Sequence, residues 1–361
     1  MAITVPGTII HHVQAKEYCY VGSPSIIVLP SGNYIASHDY FGPGASNSHS
    51  FIYRSKDQGE NWSKISELVG QTWGKLFYHR SSLYLIGTDR CDRKDRALNG
   101  KMIIRRSNDE GMTWTNPFSQ TTGLLSDKIG YHTAPTSIVT HQGKIWKAFE
   151  FAPERDRRTW RIFVISADED CDLLNRKSWT ISEQMNAWEN YQWIEGNITV
   201  TPDNDLVNIL RTNNRNKTEG YGKDEPVAIV HISKNGKTLS HNPETDRVNF
   251  PGGGDKFTIR KDRISSKYLA LVTPQEGPEL YRNILSLSVS DDLINWEVIK
   301  ELQRHPDPKY HAFQYVDWDF DGDDIVYASR TAYDDDYGGA NRAHDANFLT
   351  FHRIEKFRNE F

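Results

Sequence analysis

The chain has 361 residues and a formal net charge of −5 at neutral pH, with 10 Trp, 17 Tyr and 15 Phe. A negative balance argues against a general polyanion binder, so no nucleic-acid partner is expected. No run of 18 apolar residues occurs, so no membrane insertion is expected, and the N-terminus lacks the basic flank and apolar stretch of a signal peptide. The three cysteines are widely spaced and predict free thiols, without a metal or redox role.

Six pairs of short β-rich runs follow one another along the chain, mostly around turns rich in Gly, Asn, Asp or Pro. The pairs are 24–29 with 34–37, 75–78 with 83–87, 136–140 with 145–149, 197–201 with 206–210, 256–260 with 268–272, and 314–320 with 324–329. A third run follows each pair, and residues 8–13 are expected to supply the outer strand that the last unit lacks. The pattern predicts an all-β fold, a β-propeller of four-stranded blades in a single domain, with six blades or alternatively seven.

One turn motif occurs twice in this series, as S-x-D-x-G-x-x-W at 55–62 and again at 107–114. The Asp side chain can accept bonds from backbone N–H groups, the Gly can take a positive φ, and the Trp starts the next strand. A shorter copy without the Gly occurs at 290–296. The repeat resembles the Asp-box of the sialidase-like β-propellers, and the resemblance implies a structural role for it.

Propeller geometry predicts a shared face for the ends of the second strands and the starts of the first strands, opposite the repeated turns. The second strands end at Asp39, Thr88, Glu150, Arg211, Thr273 and Arg330, and the first strands begin at Trp73, His132, Glu195 and His311. We expect these residues to surround a central pit that is an active or binding site. His38 stands beside Asp39, and the segment 330–347, with Tyr333 and His344, is expected to hang over the pit. For Glu150 and Arg211, the alternative to a role in this site is a structural ion pair between the two side chains.

The run 317–322 imitates the first half of a calcium loop, but its twelfth position is Ala328 rather than Glu. The better interpretation is a single strand in which the Asp side chains of this run face one side of the sheet, and Trp318 and Phe320 face the other. No metal and no other cofactor is expected.

Two further stretches carry a family resemblance. Residues 24–32 resemble the first strand of sialidases, which place an arginine just ahead of it to bind the substrate carboxylate; here Val21 and Gly22 stand in that region. Arg211 and Arg330 would fill the other two arginine positions, so an acidic sugar other than sialic acid is favoured. Residues 36–44 are similar to a region of sialidase-like propellers that cleave terminal rhamnose from glucuronate, and this resemblance implies a central role for His38.

The chemistry of uronate elimination agrees with these residue types. Arginine neutralises the carboxylate through a bidentate fork, a base removes the adjacent proton, and an acid protonates the leaving oxygen. Hydrolysis would instead need two carboxylates or a tyrosine nucleophile. Elimination and hydrolysis are therefore both consistent with the sequence. The predicted catalytic residues are His38, His132, Tyr333, Arg211 and Arg330. The predicted substrate-binding residues are Asp39, Trp73, Glu150, Glu195, His311 and His344.

The sequence therefore predicts an enzyme that cleaves a terminal bond in an acidic oligo- or polysaccharide. An exo-sialidase is the alternative enzyme, and a non-catalytic glycan-binding propeller is the alternative from another class. At His38 we expect the neighbouring Asp39 carboxylate to orient the imidazole at the channel mouth and to raise its pKa.

Overall fold

The computed structural model describes residues 4–45, 48–89, 100–152, 160–188, 191–214, 226–276 and 281–361. Within these ranges the structure consists of β-strands and short 3-10 helices, at Ala15–Glu17, Arg176–Ser178 and Phe357–Glu360. The first fifteen strands are β1 (Thr8–His12), β2 (Tyr20–Val21), β3 (Ser25–Val28), β4 (Tyr34–Phe41), β5 (His49–Ser55), β6 (Ser63–Val69), β7 (Thr72–His79), β8 (Ser82–Thr88), β9 (Gly100–Ser107), β10 (Leu124–His132), β11 (Val139–His141), β12 (Lys144–Phe151), β13 (Arg161–Asp168), β14 (Trp179–Ile181) and β15 (Met185–Asn186). The remaining strands are β16 (Tyr191–Val200), β17 (Leu206–Asn214), β18 (Pro226–Ile232), β19 (Leu239–Ser240), β20 (Arg247–Asn249), β21 (Thr258–Lys261), β22 (Tyr268–Val272), β23 (Ile284–Ser290), β24 (Glu297–Arg304), β25 (Ala312–Asp321), β26 (Asp324–Ala332) and β27 (Phe348–Ile354).

These strands form five sheets in the described part of the chain. Four are small: β2–β6, β16–β20, β21–β24, and a sheet in the order β1-β27-β26-β25. The fifth has nine strands, from β7 to β15, because β10 pairs with β9 and also with β12. Neighbouring strands within a sheet are antiparallel. The chain therefore runs back and forth through one sheet before it enters the next.

The ring closes through the N-terminal strand. β1 pairs antiparallel with β27, with Thr8 opposite Phe351 and His12 opposite Phe348. The first strand of the chain thus completes the sheet that the last three strands begin, and the prediction for residues 8–13 is confirmed.

The core lies between adjacent sheets, because the inner strands are apolar on both faces. On one face of β4, Tyr34 and Ala36 pack with Val326 and Ala328 of β26. On the opposite face, Ile35 packs with side chains of β7 and β8. β22 is buried along its whole length, whereas β24 at the outer edge of the same sheet contains no buried residue. This gradient from buried inner strands to exposed outer strands is expected for sheets arranged around an axis.

The repeated turns make the same bonds in both copies. In the first, the backbone N–H of Gly59 donates to Ser55 Oγ at 2.8 Å, Asn61 N–H donates to Asp57 Oδ1 at 2.9 Å, and Trp62 Nε1 donates to the Gly59 carbonyl at 3.1 Å. Ser107, Asp109, Gly111 and Trp114 repeat the pattern. Both Trp side chains are half-buried, and each also contacts an adjacent sheet: the Trp62 ring lies 5.5 Å from the Phe351 ring, and Trp114 Nε1 donates to Ser66 Oγ at 3.2 Å.

Polar side chains of the innermost strands meet around the axis. β3 contacts β7 and β25, and β16 contacts β11 and β21. Asp317 is fully buried there and accepts hydrogen bonds from Ser25 Oγ at 2.8 Å and Lys75 Nζ at 2.5 Å. Trp318 lies on the other face of β25, in the apolar cluster, so the predicted alternation along this strand is confirmed.

In the part of the chain that the structure describes, no helix is long and apolar enough to cross a membrane.

Candidate functional site

Three inner strands carry the same local irregularity at one face of the ring. β7, β16 and β25 each break register once, and each break contains a residue with positive φ. These residues are Trp73 (51°), Glu195 (59°) and Tyr315 (53°). Such angles are sparsely populated for bulky side chains and persist where the surroundings hold them, often at functional sites. A β-bulge also re-aims a side chain, so these three residues begin the wall of the site, which we call the pit.

Arg211 joins two of the pit residues. Its Nη1 lies 2.8 Å from Glu195 Oε2 and 3.2 Å from the hydroxyl of Tyr315, and its Nε donates to the Gly254 carbonyl at 2.7 Å. Burial acts to raise the pKa of Glu195, but the charge of Arg211, together with those of His132 and Lys256, holds it below its ordinary value. A buried, ionised carboxylate therefore shares one arginine nitrogen with a phenol.

Two further arginines face the same phenol. The guanidinium of Arg282 lies 5.3 Å from the Tyr315 ring centroid and forms an ion pair with Asp255 at 2.7 Å. The guanidinium of Arg330 lies 4.6 Å from that ring and 4.3 Å from the ring of Phe41. Together with Arg211, which contacts the hydroxyl, this places three cations around one tyrosine side chain.

Arg330 differs from its two neighbours in its partners. Its Nη2 donates to the His344 carbonyl, its Nε is buried without a partner, and no carboxylate of the described residues forms an ion pair with it. Burial lowers its pKa to about 10, so the group stays cationic at neutral pH. Charged groups buried without a counter-ion are costly, and an anionic ligand would supply one here.

A histidine and a glutamate form the opposite wall. His132 Nδ1 lies 2.7 Å from Glu150 Oε2, and the two residues stand directly opposite each other where β10 pairs with β12. The imidazole is flanked by the rings of Trp73 at 4.4 Å and Trp160 at 4.7 Å. The carboxylate fixes the orientation of the ring, and the other ring nitrogen has no hydrogen-bond partner among the described residues, so it is available for proton transfer.

Asp39 connects Trp73, which flanks His132, to the segment that precedes β3. Its two carboxylate oxygens accept backbone N–H bonds from Ser23 at 2.8 Å and Trp73 at 2.6 Å. A Cβ on Gly22 would lie 1.8 Å from Asp39 Oδ1, so this position admits only glycine. Asp39 thereby holds the Trp73 bulge in place.

The structure corrects the prediction for His38. Successive residues of a strand face opposite sides, so His38 points away from Asp39. Its ring is 1% exposed and stacks 4.9 Å from His11 and 5.3 Å from Phe51. Burial and the nearby His11 hold its pKa well below the ordinary value, and Nδ1 contacts the Asp39 carbonyl rather than its carboxylate. The expected orientation by a carboxylate and the expected rise in pKa are both wrong.

For His38→Ala we therefore expect a loss of stability rather than a loss of chemistry. Removing a buried ring from this aromatic cluster should lower the free energy of unfolding by about 2–4 kcal/mol. Chemical denaturation measures this, and turnover per folded molecule should stay within tenfold of the parent. A variant of parental stability whose turnover is abolished would return the catalytic role to His38.

Two other predicted residues lie together, apart from the arginine cluster. His311 stacks on His305 at 3.5 Å and on the edge of Tyr333 at 5.0 Å. The His311 nitrogens face Asp307 at 3.1 Å and Asp334 at 3.3 Å. Among the described residues no hydrogen bond or ring contact joins His311 or Tyr333 to Arg211, Arg282 or Arg330, so their place in the pit stays a prediction.

His344 lies at the rim of the pit. Its ring is bonded to Asp345 at 2.8 Å and meets the edge of Phe41 at 5.2 Å, while its backbone carbonyl holds Arg330. The alternative interpretation, an ion pair between Glu150 and Arg211, does not hold, since Glu150 pairs with His132 and Arg211 pairs with Glu195.

Four of the site residues are absent from the sequence-based prediction. They are Tyr315, Arg282, Asp255 and Trp160. Tyr315 lies in a run that looks like one continuous strand, and its bulge has no local signature. Arg282 had a usable signal, because it precedes the third strand of its unit and so follows a loop on the pit face. Trp160 has the same position in its own unit, just before β13.

No family model and no curated protein matches the sequence. Several solved structures resemble it over nearly its whole length, and three of them are described here. They are the α-L-arabinofuranosidase of Fusarium graminearum with an iminosugar inhibitor (12% identity, 98% of each chain, TM-score 0.64), the α-L-arabinanase of Penicillium chrysogenum with arabinobiose (14%, 98% of each chain, 0.59), and the intramolecular trans-sialidase from Ruminococcus gnavus with oseltamivir carboxylate (13%, 100% of this chain and 99% of that chain, 0.61). At such identities the likeness shows the fold, a sialidase-like propeller.

Proposed function

We propose that this protein is an exo-acting glycoside hydrolase whose substrate ends in an acidic sugar. The observation that carries the proposal is the set of three arginines around the Tyr315 side chain, one at its hydroxyl and two against its ring, beside an ionised Glu195. Resemblance in fold to an arabinanase, an arabinofuranosidase and a trans-sialidase supports carbohydrate chemistry in general.

Charge favours the acidic sugar over a neutral one. Glu195 and Asp255 each balance one arginine, which leaves Arg330 for a ligand anion. A guanidinium binds a carboxylate through two parallel hydrogen bonds, and its strength increases where water is excluded. A neutral sugar such as arabinobiose would leave Arg330 buried and unpaired.

Tyr315 is the nucleophile in this proposal. It is half-buried and therefore reachable, and its hydroxyl lies 3.2 Å from Arg211 Nη1. Its oxygen attacks the anomeric carbon as the bond to the leaving oxygen breaks, and Glu195 takes the phenolic proton. Use of a tyrosine nucleophile is a known exception to the paired-carboxylate rule for glycosidases.

His132 is the group that we assign to the leaving oxygen. Oriented by Glu150, it donates a proton as the glycosidic bond breaks and then removes a proton from the water that releases the sugar from Tyr315. The pair of His132 and Glu150 also supports a second candidate function, elimination from a uronate, in which His132 would be the base.

The rhamnosyl-glucuronate specificity rests on the resemblance around His38, whose ring lies outside the pit, so the proposal names an acidic sugar without naming rhamnose.

We also infer that the propeller has six blades. The nine-stranded sheet then counts as two blades, β7–β10 and β11–β15, which are joined where β10 pairs with β12.

Incubation with a panel of end-labelled oligosaccharides tests the proposal. The panel should contain terminal sialosides, terminal uronides and terminal arabinosides. We expect cleavage of an acidic member, with a reducing end released and no absorbance of an unsaturated uronate. Appearance of that absorbance would favour elimination, whereas cleavage of the arabinosides alone would contradict the acidic-sugar proposal.

Arg330→Met separates recognition from chemistry in the same assay. We expect KM for the acidic substrate to rise by at least about tenfold, since one charge-assisted pair contributes roughly 1.5–3 kcal/mol. The methyl ester of that substrate should lose no affinity, because it has no carboxylate to bind. Equal losses for acid and ester would remove Arg330 from carboxylate recognition.

A further inference from the structure

Three lysines are buried near the axis of the ring. Lys75, Lys147 and Lys256 are 2%, 0% and 2% exposed. Lysine is almost never fully buried unless its charge is paired. The question is therefore which group balances each of these three charges.

Two of the lysines meet at one contact between inner segments of the ring. Lys147 Nζ donates to Thr136 Oγ1 at 2.8 Å, and Lys256 Nζ donates to Thr258 Oγ1 at 2.7 Å. Each ammonium also donates to one backbone carbonyl, at 2.9 Å and 2.6 Å respectively. The Thr258 hydroxyl in turn lies 3.4 Å from the carbonyl of Pro135, the residue before Thr136. The two ammonium groups thus bind adjoining segments of the axis.

The carboxylate in this region is already used by other cations. Asp317 Oδ2 pairs with Lys75 at 2.5 Å, and Asp317 Oδ1 lies 3.5 Å from Arg260 Nη2. No carboxylate of the described residues forms an ion pair with Lys147 or Lys256. Two buried ammonium groups are therefore left without a counter-ion, which is a costly arrangement.

The glutamates of the pit do not supply the missing charge. Glu150 and Glu195 each pair with a cation of the pit, at 2.7 Å and 2.8 Å. Burial lowers the pKa of Lys147 and of Lys256 to about 7, although Glu150 and Glu195, respectively, act to raise it. The other charged groups that act on one or both of these lysines are Lys75, Arg260 and Asp317.

Each of the two ammonium groups also has a donor to spare. An ammonium carries three N–H donors, and Lys147 and Lys256 each use two of them within the described part of the chain. An anion supplies an acceptor and a counter-ion together, whereas water supplies only the acceptor. We propose that Lys147 and Lys256 bind one small inorganic anion, of the chloride class, near the axis. The segments around it approach to hydrogen-bond distance, which argues against a sugar or another large anion.

Thermal melts in two sodium salts of equal ionic strength test this site. At about pH 6 we expect about 0.2 M chloride to raise the melting temperature by about 2 °C or more relative to gluconate, which is too large to enter. The lysines must be protonated to bind the anion, so its affinity should fall by up to about tenfold per pH unit above pH 7 for each lysine. The difference between the salts should therefore disappear at about pH 9.

Lys147→Met and Lys256→Met should each abolish the difference at the lower pH. Lys144→Met is the matched control, because Lys144 lies in the same strand as Lys147 but forms a partly exposed pair with Asp168. It should keep the parental response to chloride. An equal response in the parent and in Lys147→Met, or an equal response at both pH values, would identify a general salt effect and overturn the site. Absence of any response in the parent would also overturn it, since two neutral amines would then explain the burial.

Crystals of the parental protein grown in sodium bromide give a second measurement, which does not depend on whether the variants fold. We expect an anomalous peak within hydrogen-bond distance of both Lys147 Nζ and Lys256 Nζ. A map without a peak there would contradict the proposal. Neither experiment uses turnover, so the outcome is independent of the function proposed for the pit.

Discussion

Replacement of Tyr315 by phenylalanine is expected to lower turnover by at least about a thousandfold, as for other residues that act in covalent or acid–base steps. The change removes one oxygen atom and keeps the ring between Arg282 and Arg330. Stability should change little, because within the described part of the chain the hydroxyl makes one hydrogen bond, at 3.2 Å, with Arg211. Steady-state kinetics on the acidic substrate, together with a thermal melt, measures both quantities.

Tyr333→Phe is the matched control for this experiment. Tyr333 packs against His305 and His311 and makes no contact with the arginine cluster among the described residues. Its hydroxyl should be dispensable, with turnover within a few-fold of the parent. If Tyr333→Phe were inactive and Tyr315→Phe active, the assignment of the nucleophile would be wrong and the original prediction for Tyr333 would stand.

Replacement of Asp317 by alanine is expected to reduce the free energy of unfolding by about 3–5 kcal/mol, because it leaves a buried ammonium without its counter-ion. Asp317 and Lys75 are 0% and 2% exposed, and their charged atoms lie 2.5 Å apart. Asp317 Oδ2 also accepts hydrogen bonds from Ser25 Oγ and from the backbone N–H of Ile26, so the substitution loosens three inner strands at once. Urea denaturation gives the magnitude.

Asp323→Ala is the control on a neighbouring turn. Its side chain is 80% exposed and pairs with Arg358 at 2.8 Å, so its removal should cost less than about 1 kcal/mol. A similar loss at both positions would show that burial of the Lys75–Asp317 pair does not determine its contribution.

The pH dependence of this contribution has a definite sign. Burial acts to raise the pKa of Asp317, but the charges of Lys75, Arg260 and Lys256 hold it below its ordinary value of 3.8. A carboxyl group with a depressed pKa stabilises the fold above its unfolded pKa and loses this effect as the pH falls through the folded pKa. Acid unfolding of the parent below pH 4 should therefore be steeper than that of Asp317→Ala.

The pit rests on a second layer of buried cations. Lys147 Nζ donates to the Ala134 carbonyl at 2.9 Å and Thr136 Oγ1 at 2.8 Å, and Lys256 Nζ donates to Thr258 Oγ1 at 2.7 Å and the Val316 carbonyl at 2.6 Å. Burial lowers the pKa of each lysine to about 7, even though Glu150 and Glu195, respectively, act to raise it. The charge of Lys256 contributes to holding the pKa of Glu195 below its ordinary value, which keeps this carboxylate ionised.

Much of the fold could be predicted from local sequence. The turns at 30–33, 202–205 and 321–323 mark hairpins, because Gly, Asn, Asp and Pro supply the angles that such turns need. The apolar runs on either side reappear as β3 with β4, β16 with β17, and β25 with β26. Closure through residues 8–13 was predictable too, since the last unit lacked one strand and a β-rich run was left at the start of the chain.

The positions at the ends of the second strands were also predictable. Asp39, Glu150, Arg211 and Arg330 are equivalent in their units and all contribute to the pit or its wall. Strand length and direction fix this equivalence, and both can be counted along the sequence.

By itself, then, the sequence determined the strands, their order, the closure of the ring and the face on which charged residues collect, because each depends on neighbours along the chain. Only the tertiary structure decided which side chains meet. A bulge turns Tyr315 into the pit, and alternation turns His38 out of it, since a shift of one residue moves a side chain to the opposite face of a sheet. Arg282 enters the cluster from a loop whose direction depends on the sheets that it joins. The contact between Arg211 and Tyr315 links residues 104 positions apart, and the spacing of residues along the chain does not encode it.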